Sequence, residues 1–261
     1  MQMSDNLRLR IFWTLNTLLA LAFAVEIFSP RGFPGLDAIL ILLATLAGIA
    51  ALNRQLPLQN VLTAALVTAL IGGAAHGFSV KTSLPFGPVD FTSTAGEKIF
   101  DAVPWTIPLL WIAVVFNSRG TARLVLRPWR KTKVYGYWLI ALTTLLAVAF
   151  DFALEPWAWH VKHLWLWQPT RLAINWYGTS AMNFLGWSCV TLLLLLFITP
   201  SLIRKQPGPS AGPDYHPLFC WLGALLLFAV GAAEGKMWPA LAVDAVIATL
   251  AGFFAVRGAK W

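Results

Sequence analysis

The chain has 261 residues, 58% of them hydrophobic and only 11% charged, with a mean hydropathy of +0.69. A water-soluble domain carries about a quarter charged residues, so a soluble enzyme or binding module is excluded and an integral membrane protein is indicated. The net charge of +8 does not mark a nucleic-acid binder, because the basic residues lie between apolar runs, where the positive-inside rule gathers them.

Apolar runs of membrane-crossing length, about 20 residues, predict eight helices. They cover Ile11 to Phe28, Leu36 to Leu52, Leu58 to Phe78 and Trp105 to Asn117, the last with an amphipathic extension toward Leu126. Val134 to Leu154, Met182 to Thr199, Leu218 to Ala233 and Met237 to Val256 complete the set. The first run is long for a signal peptide and reads as a retained helix. Between the third and fourth helices lies a polar stretch from Ser79 to Pro104, and between the fifth and sixth a tryptophan-rich one. A linker around Ser201–Pro217 has the composition of a flexible loop. No internal repeat or soluble domain interrupts the pattern. The expected fold is all-α: one polytopic bundle of about eight transmembrane helices over residues 1–261.

With the N-terminus in the cytoplasm, most of the 19 basic residues fall inside, leaving Arg31, Lys81, Lys98, Lys162, Arg171 and Lys236 outside. That asymmetry predicts an inner-membrane protein with both termini cytoplasmic. The acids sort the opposite way. Of the 11, only Asp5 and Asp214 fall on the cytoplasmic side. An acid within the bilayer is costly and usually faces the bundle interior. The shared level of Glu26, Asp37, Asp151, Glu155, Glu234 and Asp244, with His76, predicts a single polar pocket open toward the outer leaflet.

Asp151 and Glu155 are the leading pair. Spaced i, i+4, they share one helix face, and Pro156 is expected to end that helix directly after them. Two such carboxyls in apolar surroundings seldom both ionise, which leaves an acid able to deliver a proton near neutral pH. His76, among Gly72, Gly73 and Gly77, is a candidate assistant, and Gly73-x-x-x-Gly77 fits a helix-packing contact. Asp244 reads as a pocket or proton-relay residue. Trp157, Trp159, Trp165, Trp167 and Trp176 form an interfacial belt, of which Trp157 and Trp165 are the candidates to line a substrate pocket and shelter a cation. His160 and His163 are too weakly patterned to predict a metal site, so none is expected. Cys189 and Cys220 lack any CxxC spacing and read as small hydrophobes.

Two segments resemble the carotenoid biosynthesis family that contains the CruF-type carotenoid 1,2-hydratases and bisanhydrobacterioruberin hydratase. The first is Pro85-Phe86-Gly87, Phe91-Thr92 and Val103-Pro104-Trp105 with Pro108, Leu109 and Trp111. The second is Asp151, Leu154-Glu155-Pro156, Trp165, Trp167, Tyr177-Gly178 and Asn183-Phe184-Leu185-Gly186-Trp187. The chain differs in having Glu155-Pro156 for an Asp-Pro, His76 for a glutamate, and Thr179-Ser180 for a Val-Pro. The resemblance implies hydration of the terminal 1,2 double bond of an acyclic ψ-end carotenoid of the γ-carotene or lycopene type. It implies Asp151 and Glu155 in catalysis with His76 assisting, and Phe86, Trp165, Tyr177, Asn183 and Trp187 around the substrate, to which the residue reading above adds Trp157 and Asp244. No cofactor is expected. The expected partners are a carotenoid drawn from the bilayer, lipid, and other enzymes of the pathway. A lycopene-cyclase-like isomerase and a proton-coupled transporter or channel remain open alternatives.

Overall fold

The computed structural model describes residues 5–29, 33, 35–170, 174–203 and 212–261. Arg31 and Arg171, placed on the outer side above, are not among the described residues, and neither are residues 204–211 of the Ser201–Pro217 linker, which include Arg204 and Lys205. Eight α-helices stand where the apolar runs predict them: α1 Asp5–Phe28, α2 Leu36–Asn53, α3 Leu58–Thr82, α4 Thr106–Val125, α5 Tyr135–Pro156, α6 Ala181–Ile198, α7 His216–Glu234 and α8 Trp238–Ala259. Seven of them are long and apolar enough to cross a membrane. The exception is α4, and its position explains why. It packs against α2, α3, α5, α7 and α8, and most of its side chains are buried by them. A helix shielded from lipid on nearly every side can hold Asn117, Ser118, Arg119 and Thr121 in its buried half. Its 20 residues still span about 30 Å.

The α3–α4 contact is set by glycine. A Cβ on Gly72 would lie 2.3 Å from Cγ of Trp111, so only glycine admits that indole. Gly73 and Gly77 face Pro108 and Val103 of the same region. The expected small-residue packing face is thus real, with Gly72 its tightest point.

The helix ends separate the bundle into two poles. At one, Lys162 reaches Glu26 at the end of α1 and Asp37 at the start of α2, and Thr92 bonds the carbonyls of His163 and Leu164. At the other, Gln55 bonds Asp214, and Arg119 bonds the carbonyl of Leu202.

The first pole carries a feature that helical periodicity did not predict. The two polar stretches pair across it as a small antiparallel ribbon of β1 (Val89–Phe91) and β4 (Trp165–Trp167). Beside it lie two short hairpins, β2 (Lys98–Ile99) with β3 (Val103–Pro104), and β5 (Asn175–Trp176) with β6 (Thr179–Ser180). The turn of the last, Tyr177-Gly178, has φ of 49° and 88°, the positive pair that a two-residue hairpin of matching twist requires.

α5 does not stop at Pro156 as expected. The backbone runs on through one π-helical turn, Trp157–Val161. Proline has no N–H to give the carbonyl four residues back, which here is that of Phe152. The indole Nε1 of Trp176 donates to that carbonyl at 2.9 Å and stacks on the Phe152 ring. A hairpin residue therefore repairs the helix's missing bond. The wider turn aims Trp157 inward against Gly231 and Phe228.

Candidate active site

Asp151 and Glu155 sit one turn apart on α5, 1% and 2% exposed. They are joined by Asn183 of α6, itself fully buried. Its amide Nδ2 donates to Asp151 Oδ2 at 2.6 Å and to Glu155 Oε1 at 3.2 Å. Ser180 caps α6, its hydroxyl accepting from the Met182 amide, and so fixes the helix start from which Asn183 projects.

Glu155 is then surrounded by donors from the ribbon and the hairpin. Its Oε2 accepts from Trp167 Nε1 at 2.7 Å, Thr179 Oγ1 at 2.9 Å and Trp165 Nε1 at 3.1 Å. Alternation along β4 produces this. Residues i and i+2 of a strand share a face, so both indoles point inward while Leu166 points out. Glu155 thus accepts four hydrogen bonds, three of them shared on Oε2. Asp151 is different. Its Oδ1 is buried and accepts no hydrogen bond among the described residues.

The remaining predicted site residues fall into separate groups. His76 lies in an aromatic box, stacked on Phe86 with centroids 4.1 Å apart and edged by Phe91, Trp111 and Trp187. Its hydrogen-bond and ring contacts do not include either acid. Trp187 stacks on Trp111 at 3.9 Å; one turn from Asn183, it is the closest link along α6 between the box and the acid pair. Tyr177 is at the hairpin tip, half-buried against the α7–α8 end, and its carbonyl accepts from His160 Nε2. Asp244 is buried in α8 with both carboxyl oxygens unpartnered among the described residues. It does not join the pair. Glu26 and Asp37 are held by Lys162, and Glu234 is exposed at the end of α7. Asp244 and the acids held by Lys162 thus make no hydrogen bond to Asp151 or Glu155 among the described residues.

An apolar cavity lies against the neighbouring face of α5. A cavity of about 80 Å³ is walled by Phe23, Leu40, Leu110, Phe150, Leu154, Trp157, Trp165 and Phe228, with Asp37 at its edge. Phe150, Leu154 and Trp157 are one residue behind Asp151, Glu155 and Ala158, so the cavity face of α5 is turned by about 100° from the acid face. Trp165 belongs to both, lining the cavity and donating to Glu155.

Trp167 and Thr179 are the functional residues that sequence reasoning passed over. The alternation Trp165-Leu166-Trp167 was the available signal for the first. Among the described residues, no three His, Cys, Asp or Glu side chains converge as a metal site.

No curated protein and no solved structure matches the chain. A family model does, over residues 36–254, and its description is carotenoid biosynthesis protein. The match takes in α2 through most of α8, and with them Asp151, Glu155, Asn183 and the whole tryptophan ribbon. The chain belongs to the carotenoid biosynthesis protein family.

Proposed function

We propose that the chain is a carotenoid 1,2-hydratase acting on an acyclic ψ-end of the γ-carotene or lycopene type, with Asp151 as the acid. The supporting observation is the unequal solvation of the two carboxyls. Four donors occupy Glu155, whereas Asp151 Oδ1 accepts none. The proton shared by the pair then belongs on Asp151. Glu155 is the fixed anion beside it, held at a set distance by the Asn183 amide.

The reaction is redox-neutral and balances without a cofactor. The Asp151 proton adds to C-2 of the terminal double bond, whose π electrons form the new C–H bond. The tertiary cation left at C-1 is captured by water, and the proton that water releases returns to the carboxyl pair. The apolar cavity suits a polyene end, and the indoles of Trp157 and Trp165 supply π faces toward a developing cation. The chain sits in the inner membrane with its termini cytoplasmic. It takes its substrate from the bilayer and works beside the other enzymes of the pathway.

Co-expression with a lycopene-producing pathway, followed by mass analysis of extracted pigment, tests this. The wild-type chain should add the mass of one water per ψ-end. Asp151→Asn should abolish the gain while the protein still accumulates in the membrane. Glu155→Gln, which keeps the shape but replaces one of two accepting oxygens with an NH2 among groups that all donate, should also lose it. An isomeric product of unchanged mass would instead identify a cyclase, and full hydration by Asp151→Asn would overturn the assignment.

A further inference from the structure

A cavity of about 680 Å³ lies at the opposite pole, and the reaction proposed above does not use it. Arg54, Arg119, Arg123, Arg127 and Arg130 line it, with Tyr135, Thr143 and Thr199 on its wall. One carboxylate faces them, Asp214, and it is already engaged by Gln55 Nε2 at 2.7 Å and the His216 amide at 3.1 Å. Among the described residues, Arg54, Arg119, Arg123 and Arg130 make no ion pair. Arg119 is buried, with Nη2 on the Leu202 carbonyl at 3.3 Å, and Arg54 lies over the Phe12 ring. Guanidinium groups gathered around a cavity with so little counter-charge call for an anion. Their forked donors match a phosphate best.

The cavity also has an apolar exit. Ile140, Leu195, Thr199 and Ile203 line it and also line a neighbouring groove of about 380 Å³, completed by Leu196 and Pro200 on the outer surface of α5 and α6. Leu196 and Ile203 are exposed there. A charged chamber opening into a greasy surface channel fits an amphiphile, head in one and chain in the other.

We propose that this pole binds an anionic phospholipid, its phosphate among the arginines and one acyl chain in the Ile140–Ile203 groove. Basic pockets between helices hold phosphate headgroups by the same electrostatics.

Native mass spectrometry of the purified full chain in detergent, doped with equal phosphatidylglycerol and phosphatidylcholine, reads the preference directly. Phosphatidylglycerol should be retained about tenfold or more over phosphatidylcholine. The double variant Arg123→Gln/Arg130→Gln changes exposed side chains, and circular dichroism checks that it folds. It should erase the preference. Ile203→Asp should weaken phosphatidylglycerol retention through the chain groove alone. Equal retention of both lipids by the wild type, or a preference that survives the arginine exchange, overturns the proposal. Calorimetric titration with inorganic phosphate and pyrophosphate is the second arm. Tight binding of either, without any phosphatidylglycerol preference, would make the ligand a soluble phosphate and overturn the lipid reading.

Discussion

The two poles hold charge in opposite ways. At the tryptophan pole the carboxyls are buried among fixed partners: Glu155 accepts four donors, and Glu26 and Asp37 share Lys162. At the arginine pole the cations line an open chamber, and Arg54, Arg119, Arg123 and Arg130 make no ion pair among the described residues. The difference follows from side-chain chemistry. Short carboxylates cannot reach water from inside a bundle, so the protein must bring donors to them. Long arginines can lean out from an apolar stem and leave their heads available. A buried polar knot is rigid and suited to chemistry, and an open cationic chamber is suited to binding.

If that contrast is right, the most damaging single change at the tryptophan pole is Asn183→Leu. It removes the one donor common to both acids and leaves two buried carboxyls facing each other. Stripping a partner from a buried charge costs about 3–5 kcal/mol. Thermal unfolding in detergent should show that loss, and hydration should disappear with it. A variant that folds and hydrates normally would mean the acids are not held as a pair.

Lys162→Met compares the poles directly. It leaves Glu26 and Asp37 buried without their cation, at a cost of about 3 kcal/mol. Arg130→Gln at the other pole, where the guanidinium is exposed, should stay within about 0.5 kcal/mol of wild type in the same melting assay. Equal losses would erase the distinction between a locked and an available cation.

Much of this was legible before any coordinates. Helix positions came from hydropathy, and the i, i+4 spacing placed Asp151 and Glu155 on one face because helix geometry is local. What stayed hidden was position around the bundle. Hydropathy reports depth alone, so it could not tell that His76 sits among aromatic rings and that Asp244 makes no hydrogen bond to the acids among the described residues. The donors on Glu155 were hidden for another reason. β4 has three residues and pairs with β1, more than 70 residues away in sequence, too short to show a period of two against a belt of tryptophans. Thr179 reaches Glu155 only because the hairpin turns at Tyr177, a residue that does not announce a positive φ.

Within the knot, the donors on Glu155 should rank by distance. Trp167→Phe removes the 2.7 Å bond and Trp165→Phe the 3.1 Å one. A hydrogen bond to a charged acceptor contributes about 1.5–3 kcal/mol. Trp167→Phe should therefore lose about 2 kcal/mol and Trp165→Phe less. Trp165→Phe should still show its own defect in substrate affinity, because that ring also walls the cavity. Melting temperatures and pigment conversion, measured on the same preparations, separate the two. The reverse ranking in stability would mean that packing against the cavity outweighs the carboxylate bonds.

The smallest effect tests how the knot is anchored. Trp176→Phe keeps the stack on Phe152 but removes the donor to the carbonyl that Pro156 leaves free, at a cost of about 1 kcal/mol. The second change that sharpens this is Pro156→Ala. An alanine at 156 has an N–H of its own, which can bond the Phe152 carbonyl along the helix. In that background, Trp176→Phe should cost little, because the carbonyl has a new partner. A double-mutant cycle measures the difference as a coupling energy. A cycle that closes at zero would mean the indole holds the hairpin by stacking alone, and that the π turn after Pro156 needs no repair from the hairpin.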